Sequence, residues 1–167
     1  FDLAISRDSD QNIQKDSRAV NPEFFSIFFL NLFLICFNHS LAMLKPKVLS
    51  EVLGQANSDG VISTMLLNNE GSLLAYAGSN VNKDSKITAA VASNIWGAYE
   101  KGGKMAFNNE GLRVMFMDCE EGKVAVTKIS AVLLCMYAQP TVGLGMLKFK
   151  MEKLAEYLHE PLNNSLA

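Results

Sequence analysis

The stretch of residues 86–119 carries more apolar positions than one buried face requires. At about 100° per residue, the apolar residues of the predicted helix 86–101 fill an arc of roughly 200°, about twice the stripe of a helix on one sheet. These residues are Ile87, Ala89, Val91, Ala92, Ile95, Trp96, Ala98 and Tyr99. The strand predicted at 112–118 is apolar on nearly both of its alternating faces. We therefore expect a helix and a strand that are each covered on two sides.

The remaining pattern from Met43 predicts two more helices and four more strands. The helices span residues 44–56, with Pro46 in the first turn, and 143–160, with Pro161 beyond the end. The strands span 61–67, 72–78, 123–129 and 132–138. The central helix is expected to end at Gly102 and Gly103, where a C-terminal cap belongs. The order α-β-β-α-β-β-β-α favours an α+β fold, α/β in the broad sense, with a five-stranded antiparallel sheet covered by helices.

The first 42 residues do not share this organisation. Residues 1–23 are polar and without periodicity, and the apolar run 24–37 is shorter than the roughly 20 residues of a membrane-spanning helix. A secretory signal would place basic residues directly before the run and a small-residue cleavage site after it. We expect residues 1–42 to be disordered or a translated upstream stretch, and residues 43–167 to form one domain. The alternative is a secreted or membrane-anchored domain that uses the apolar run.

Composition and charge narrow the function classes. The 167 residues are 49% apolar and 19% charged, which is typical of a globular chain. From Met43 onward the acidic and basic residues balance, so no basic face for nucleic acid is expected. Cys36, Cys119 and Cys135 lack the spacing of zinc ligands. We predict buried thiols, no bound metal and no nucleic-acid partner.

Three groups in the sequence are candidates for chemistry, and each also has a structural explanation. Cys119 beside Asp118 suggests a nucleophile with an acid, but no histidine completes the pattern, and packing at a turn is favoured. The GLG motif at 143–145 lacks the rest of a phosphate-binding loop, which favours a close-packed helix entry. His159 is expected to contact the last carbonyls of its helix. The sequence predicts no catalytic residue and no cofactor, and it favours a scaffold or adaptor over an enzyme.

The surplus apolar surface is predicted to bind a partner. Small Ala89 and Ala92 allow a partner helix to come close, and an apolar edge strand invites a partner strand. The predicted partner interface consists of Ala89, Ala92, Trp96, Tyr99, Leu112, Arg113, Val114, Met115, Phe116 and Met117.

Four separated blocks of sequence resemble the roadblock-domain family, which includes the roadblock/LC7 dynein light chains. The blocks are LLNNEGSLLAY (66–76), TAAVASNIW (88–96), LLCMYA (133–138) and VGLGMLK (142–148). Within the family the resemblance is to the Ragulator type of subunit, and it covers the chain from Met43 onward. It implies a roadblock fold, with one long helix on one face of a five-stranded sheet and the terminal helices on the other.

The resemblance also implies how such a chain works. Roadblock domains pair by joining their third strands into a ten-stranded sheet and packing their long helices together, which here are residues 112–118 and 86–101. The implied partners are a second roadblock subunit that binds the kinase MEK, a lipid-anchored Ragulator subunit, and Rag GTPases. The implied location is the cytoplasmic face of late endosomes and lysosomes, in TOR and MAP kinase signalling, without direct membrane insertion.

Two alternatives share the fold. A roadblock-type dynein light chain would bind motor cargo, and a homodimeric roadblock regulator would activate GTP hydrolysis on a partner. Both keep the paired strands and helices, so the choice depends on which partner the chain binds.

Overall fold

The computed structural model describes residues 2–6, 46–78 and 83–166 of the protein. Its longer helices are α1 (Pro46–Gln55), α2 (Lys83–Ala98) and α3 (Leu144–Leu166). Its strands are β1 (Asp2–Ser6), β2 (Val61–Leu67), β3 (Leu73–Gly78), β4 (Val114–Cys119), β5 (Gly122–Ile129) and β6 (Val132–Ala138). The order of helices and strands predicted from Met43 onward is confirmed.

In the described part of the chain, six strands form one antiparallel sheet in the order β1-β4-β5-β6-β2-β3. The hairpin β2-β3 and the meander β4-β5-β6 lie side by side because β6 pairs with β2. Five of the six strands are those that the alternation of apolar residues predicts. The α+β fold with a five-stranded antiparallel sheet is therefore confirmed, with one strand added beside β4.

The added strand, β1, lies within the segment 1–42 that we expected to be disordered, and for Asp2–Ser6 that prediction is wrong. The physical reason is the edge of β4, whose outward backbone N–H and C=O groups can pair with an extended segment. In sequence, Leu3 and Ile5 alternate with small or polar residues, and neither proline nor glycine interrupts the segment, which suits a strand. Residues 7–45, including the apolar run 24–37, lie outside the described residues.

Each face of the sheet carries its own apolar cluster. The terminal-helix cluster, which packs α1 and α3 on the sheet, includes the fully buried Leu53, Leu134 and Met151. The α2 cluster on the opposite face includes the buried Ala92 and Leu133. Leu133 and Leu134 serve different clusters because successive residues of a strand point to opposite faces. The sheet is thus the middle of three layers, with the long helix on one side and the terminal helices on the other.

The predicted end of the central helix at its glycine pair is wrong. The helix continues through a π-helical turn, Tyr99–Gly103, and a short segment, Lys104–Ala106. Gly103 keeps a right-handed backbone (φ −66°), and a Cβ atom there would lie 2.5 Å from the Tyr99 ring. This glycine therefore makes room for an aromatic ring rather than capping a helix. The left-handed conformation that follows the helix falls on Asn108 (φ 54°), because asparagine tolerates it well.

The last helix also extends beyond its predicted end at residue 160. Pro161 lies inside α3, where the missing backbone hydrogen bond and ring clash cost about 3 kcal/mol. Leu162, 9% exposed, packs into the terminal-helix cluster, and burying a leucine contributes about 1.5–3 kcal/mol, which offsets most of that cost. His159 consequently lies within the helix and contacts the Asn163 amide at 3.2 Å, so its predicted contact with terminal carbonyls is wrong.

A buried lysine fastens α3 to the turn that precedes β2. Lys150 is 5% exposed, and its Nζ donates to the carbonyl oxygen of Ser58 and to Ser58 Oγ, both at 2.7 Å. The same ammonium lies 2.8 Å from Oδ2 of Asp59. Partial burial opposes ionisation of Asp59, but the hydrogen bonds from Lys150 and Ser58 outweigh it and lower the pKa of the carboxyl below 3.8. The charge of Lys150 is therefore satisfied inside the protein.

Replacing Asp59 with asparagine is expected to lower the free energy of unfolding of the full chain by about 1–2 kcal/mol near pH 7, because the buried Lys150 loses its carboxylate. Asparagine also tolerates the left-handed backbone at this position (φ 53°), so no strain is added. Because the folded pKa is lowered, the carboxylate stabilises the fold above pH 3.8 and loses this effect as the pH falls through the folded pKa. The difference between the two proteins should therefore close on acidification.

Urea denaturation at several pH values measures this difference. The matched control is Glu156→Gln, because Glu156 is exposed and pairs with Lys153 (2.8 Å) on the surface of α3. The control is expected to leave the urea midpoint near that of the unchanged protein at pH 7. A difference for Asp59→Asn that stays constant down to pH 2 would contradict the assignment.

Candidate partner interface

β4 forms the edge of the five-stranded part of the sheet. On one side it pairs with β5 over six consecutive positions, from Val114 opposite Thr127 to Cys119 opposite Gly122. On the other side it pairs with β1. Without β1, the outward N–H and C=O groups of β4 would form an open edge, which is where a further strand can add to a sheet.

The side chains of β4 belong to the core of this chain. Val114 and Phe116 lie in the terminal-helix cluster, whereas Met115 and Met117 lie in the α2 cluster. All four are at most 5% exposed. The prediction that this strand is covered on both faces is confirmed. In this arrangement β4 can contact a partner through its backbone edge, because these four side chains are buried within the chain itself.

The two residues predicted before this strand lie outside it. Leu112 is half-buried against the α2 cluster, and Arg113 is exposed. The Arg113 carbonyl accepts a hydrogen bond from Oγ1 of Thr127 at 2.8 Å, which fixes the entry into β4. Of the predicted interface residues around β4, only Arg113 therefore presents an exposed side chain.

The predicted partner residues of α2 face inward. Ala89 and Ala92 are fully buried and Trp96 is 2% exposed, all within the cluster between α2 and the chain's own sheet. The prediction that these three residues meet a partner helix does not agree with this burial and is corrected here. The physical reason is that small side chains let the helix approach its own sheet closely, and a helical periodicity alone cannot tell one sheet from another helix.

Tyr99 also has a structural role. It is 9% exposed, its ring stacks on Phe107 with centroids 5.9 Å apart, and its hydroxyl donates to the Glu110 carbonyl at 3.4 Å. These contacts hold the π-helical turn against the segment that leads into β4. Tyr99 is therefore placed inside the domain rather than at a partner surface.

The outward side of α2 carries the other half of the apolar arc. Ile87 is 52% exposed and Val91 is 43% exposed, and the small Ala90, Asn94 and Ala98 are exposed beside them. No charged residue stands between positions 86 and 100 of the sequence. A solvated helix face normally carries charges, so an outward face with none over thirteen residues is typical of a surface that a partner covers. We call these five residues the outer α2 face.

A glycine in the β2–β3 turn fixes which side of α2 faces outward. Gly71 has a left-handed backbone (φ 83°), and a Cβ atom there would lie 2.4 Å from Ser93 Oγ and 3.2 Å from Ala90 Cα. The hairpin turn therefore packs directly on α2 at a position that only glycine allows. The sequence pattern predicts the turn but not this contact, because a turn motif carries no information about which helix packs against it.

One ion pair ties the end of α2 to the sheet. Nζ of Lys128 in β5 donates to Oε1 of Glu100 at 2.7 Å, with both side chains about one-third exposed. The hydrogen bond from Lys128 lowers the pKa of Glu100. The pair marks the boundary where the uncharged outer α2 face ends.

In the part of the chain that the structure describes, the cysteines and glycines that were candidates for chemistry show no sign of a reactive or phosphate-binding site. Cys119 is half-buried at the end of β4 beside the α2 cluster, so the predicted packing role is confirmed. Cys135 is buried, and burial raises the pKa of its thiol to about 12, which keeps it protonated. A Cβ atom added at Gly143 or Gly145 would have no neighbour within 4 Å, so the predicted close-packed helix entry is wrong. Among the described residues, no three His, Cys, Asp or Glu side chains are grouped as metal ligands.

A helix that spans a bilayer needs about 20 predominantly apolar residues. None of the described helices combines the length and the apolar composition that a membrane span requires. The apolar run at 24–37 lies outside the described residues.

Comparison with known proteins gives agreement on the family. Residues 49–138 match the family model of the Roadblock/LC7 domain. A Caenorhabditis elegans protein described as "Ragulator complex protein LAMTOR2 homolog" is 35% identical over 122 residues, which are 72% of this chain and 94% of that protein.

Solved structures show the same fold at lower identity. Myxococcus xanthus MglB has a TM-score of 0.61 and 17% identity, over 69% of this chain and 94% of MglB. The Roadblock/LC7 domain from Streptomyces avermitilis has a TM-score of 0.62 and 16% identity, over 68% of this chain and 96% of that domain. At these identities the likeness concerns the fold alone.

The orientation of α2 can be tested with one substitution at two adjacent positions. Ala92→Glu is expected to lower the free energy of unfolding by about 3 kcal/mol or more, because it buries a carboxylate without a partner. Val91→Glu on the outer α2 face should change it by about 0.5 kcal/mol or less, because that carboxylate stays in water. Urea denaturation of the full chain, followed by the fluorescence of the single tryptophan, measures both. Equal losses would contradict the orientation.

Proposed function

We propose that this chain, which belongs to the Roadblock/LC7 domain family, is a non-catalytic adaptor subunit of a Ragulator complex. The observation that carries the proposal is the identity with the Caenorhabditis elegans protein, because the match extends over nearly all of a relative named as a Ragulator subunit. Because the match covers 94% of that relative, it concerns nearly the whole protein and not a small part of it.

The proposed complex has defined partners. The chain heterodimerises with a second roadblock subunit, the scaffold that binds the kinase MEK, and a lipid-anchored subunit holds the pair on late endosomes and lysosomes. The assembly recruits Rag GTPases and thereby serves amino-acid sensing by the TOR kinase complex and localises MAP kinase signalling. The chain contributes surfaces to this assembly rather than a reaction.

The proposed pairing uses the edge of β4 and the outer α2 face. The third strand of the second roadblock subunit adds along β4, so that backbone hydrogen bonds join the two sheets. The long helices then meet through Ile87, Val91 and their small neighbours. The uncharged stretch between positions 86 and 100 supports this choice, because a stable interface of about 1,600 Å² needs an apolar centre without unpaired charges.

The groups whose pKa values are shifted have structural roles, which supports a non-catalytic function. Lys150 and Lys128 hold Asp59 and Glu100, and each pair joins two elements of the fold. The raised pKa of Cys135 disfavours the thiolate that a nucleophile requires. These groups lie in separate parts of the domain and serve packing.

Val91→Glu is expected to weaken the complex with the second roadblock subunit by about 100-fold or more, because an unpaired carboxylate at the centre of an interface costs several kcal/mol. Co-expression followed by size-exclusion chromatography, and titration of the purified subunits, measure the loss. The control is Glu121→Lys at the β4–β5 turn, an exposed position outside the proposed interface, which should bind as the unchanged chain does.

Three results would contradict this assignment. Normal binding by the Val91→Glu chain would remove the outer α2 face from the interface. Co-precipitation of dynein intermediate chain without Ragulator subunits would favour a motor light chain. A stable homodimer that accelerates GTP hydrolysis on a partner GTPase would favour a regulator of the hydrolysis-activating kind.

We expect the chain to be retained on the lysosome only through its binding to the anchored subunit. In cells that lack that subunit, the chain should distribute through the cytosol instead of sedimenting with lysosomes. Fractionation and fluorescence microscopy of the full chain, with and without the anchored subunit, measure this. Persistence on lysosomes in its absence would indicate a second anchor in the chain.

A further inference from the structure

We propose that β1 is an intramolecular competitor of the partner strand: in the free subunit Asp2–Ser6 occupies the edge of β4, and it leaves when the second roadblock subunit pairs there. This inference rests on the proposed function, because it requires a partner that docks on β4. It assigns a role to a segment that the sequence pattern placed outside the domain.

The geometry makes the two pairings exclusive. β1 runs antiparallel to β4, with residues 2 to 6 opposite residues 118 to 114 in unbroken register. These positions cover five of the six residues of β4. The opposite side of β4 is taken by β5 over its whole length. One line of outward N–H and C=O groups can pair with one strand, so a partner strand cannot add while β1 is in place.

The pairing of β1 has the properties of a displaceable contact. It is short, and ordering each residue of a strand costs free energy comparable to what one backbone hydrogen bond returns. The partner subunit, by contrast, gains contacts on the outer α2 face in addition to the strand. The partner therefore prevails once it is present.

The covered edge has two consequences for the free subunit. An open strand edge pairs with other extended chains, so β1 protects the free subunit from nonspecific association. It also lowers the apparent affinity for the partner, because only the fraction of molecules with β1 displaced can bind. The apparent dissociation constant equals the intrinsic one divided by that fraction.

The test uses the full chain with Leu3→Pro and Ala4→Pro combined. In an antiparallel pair, neighbouring residues alternate between facing the adjacent strand and facing away, so one of these two prolines must remove a hydrogen bond to β4. The matched control changes the same positions to valine, which keeps both backbone N–H groups and favours a strand. Both variants leave β2 to β6 and all helices unchanged in sequence.

Two measurements are made on each variant. Hydrogen–deuterium exchange of the free chain reports the β4 amides that face β1, and titration with the second roadblock subunit gives the apparent dissociation constant. The double-proline variant should exchange these amides faster and bind the partner about threefold more tightly or better, as expected if β1 occupies the edge in two thirds or more of the molecules. The valine variant should do neither.

The outcomes separate this inference from the proposed function. If the partner protects the β4 amides in both variants and binds them with equal affinity, competition by β1 is overturned while the docking site on β4 stands. If the partner binds without protecting those amides, or fails to bind either variant, the proposed docking is overturned and the competition with it.

Discussion

A sheet that is apolar on both faces must be covered on both faces, and the rest of this structure follows from that constraint. Neighbouring residues of β6 show it at the scale of one peptide: Leu133 and Leu134 are both buried, but they contribute to clusters on opposite sides of the sheet. Met115 and Phe116 of β4 repeat the pattern at the edge. α1 and α3 bury only one face of the sheet, and α2 buries only the other. Because both faces are apolar, the strands require all three layers.

The same constraint determines what remains on the outside. α2 has to lie close to the sheet to bury the second face, and the small Ala89 and Ala92 permit that approach. Gly71 and Ser93 then fix the rotation of the helix by their direct contact. Once the rotation is fixed, Ile87 and Val91 must point away from the sheet. The outer α2 face is therefore a consequence of how the core is packed.

Elements that depend on a local pattern are predictable from this sequence, whereas features that depend on contacts between distant elements are not. The strands 61–67 and 132–138 were predicted to the residue, because alternation and turn residues act within a few positions. The 200° arc of α2 was recognised, yet its inward and outward halves were exchanged. A helical periodicity gives the width of an apolar arc, whereas its orientation depends on a distant hairpin turn.

The failed helix ends have a similar explanation. Glycine at position 103 and proline at position 161 are signals of a helix end because of their backbone preferences. Here the Tyr99 ring requires space at residue 103, and burial of Leu162 favours helix beyond residue 161. Both tertiary contacts are comparable in energy to the local preference. No single-sequence rule includes them, and the strand β1 was missed for the same reason, since its partner lies more than 100 residues away.

The two edges of the five-stranded part differ in regularity, and the difference favours β4 as the edge for the proposed association. The pairing of β3 with β2 is interrupted by a register shift between Leu66 and Leu67, and β3 ends at Gly78. Such irregularities twist an edge and discourage a further strand. The pairing of β4 with β5 has six consecutive positions without a shift. A regular antiparallel edge presents its outward N–H and C=O groups in an unbroken repeat. β4 is therefore better suited than β3 to pair with a further strand, as it does with β1.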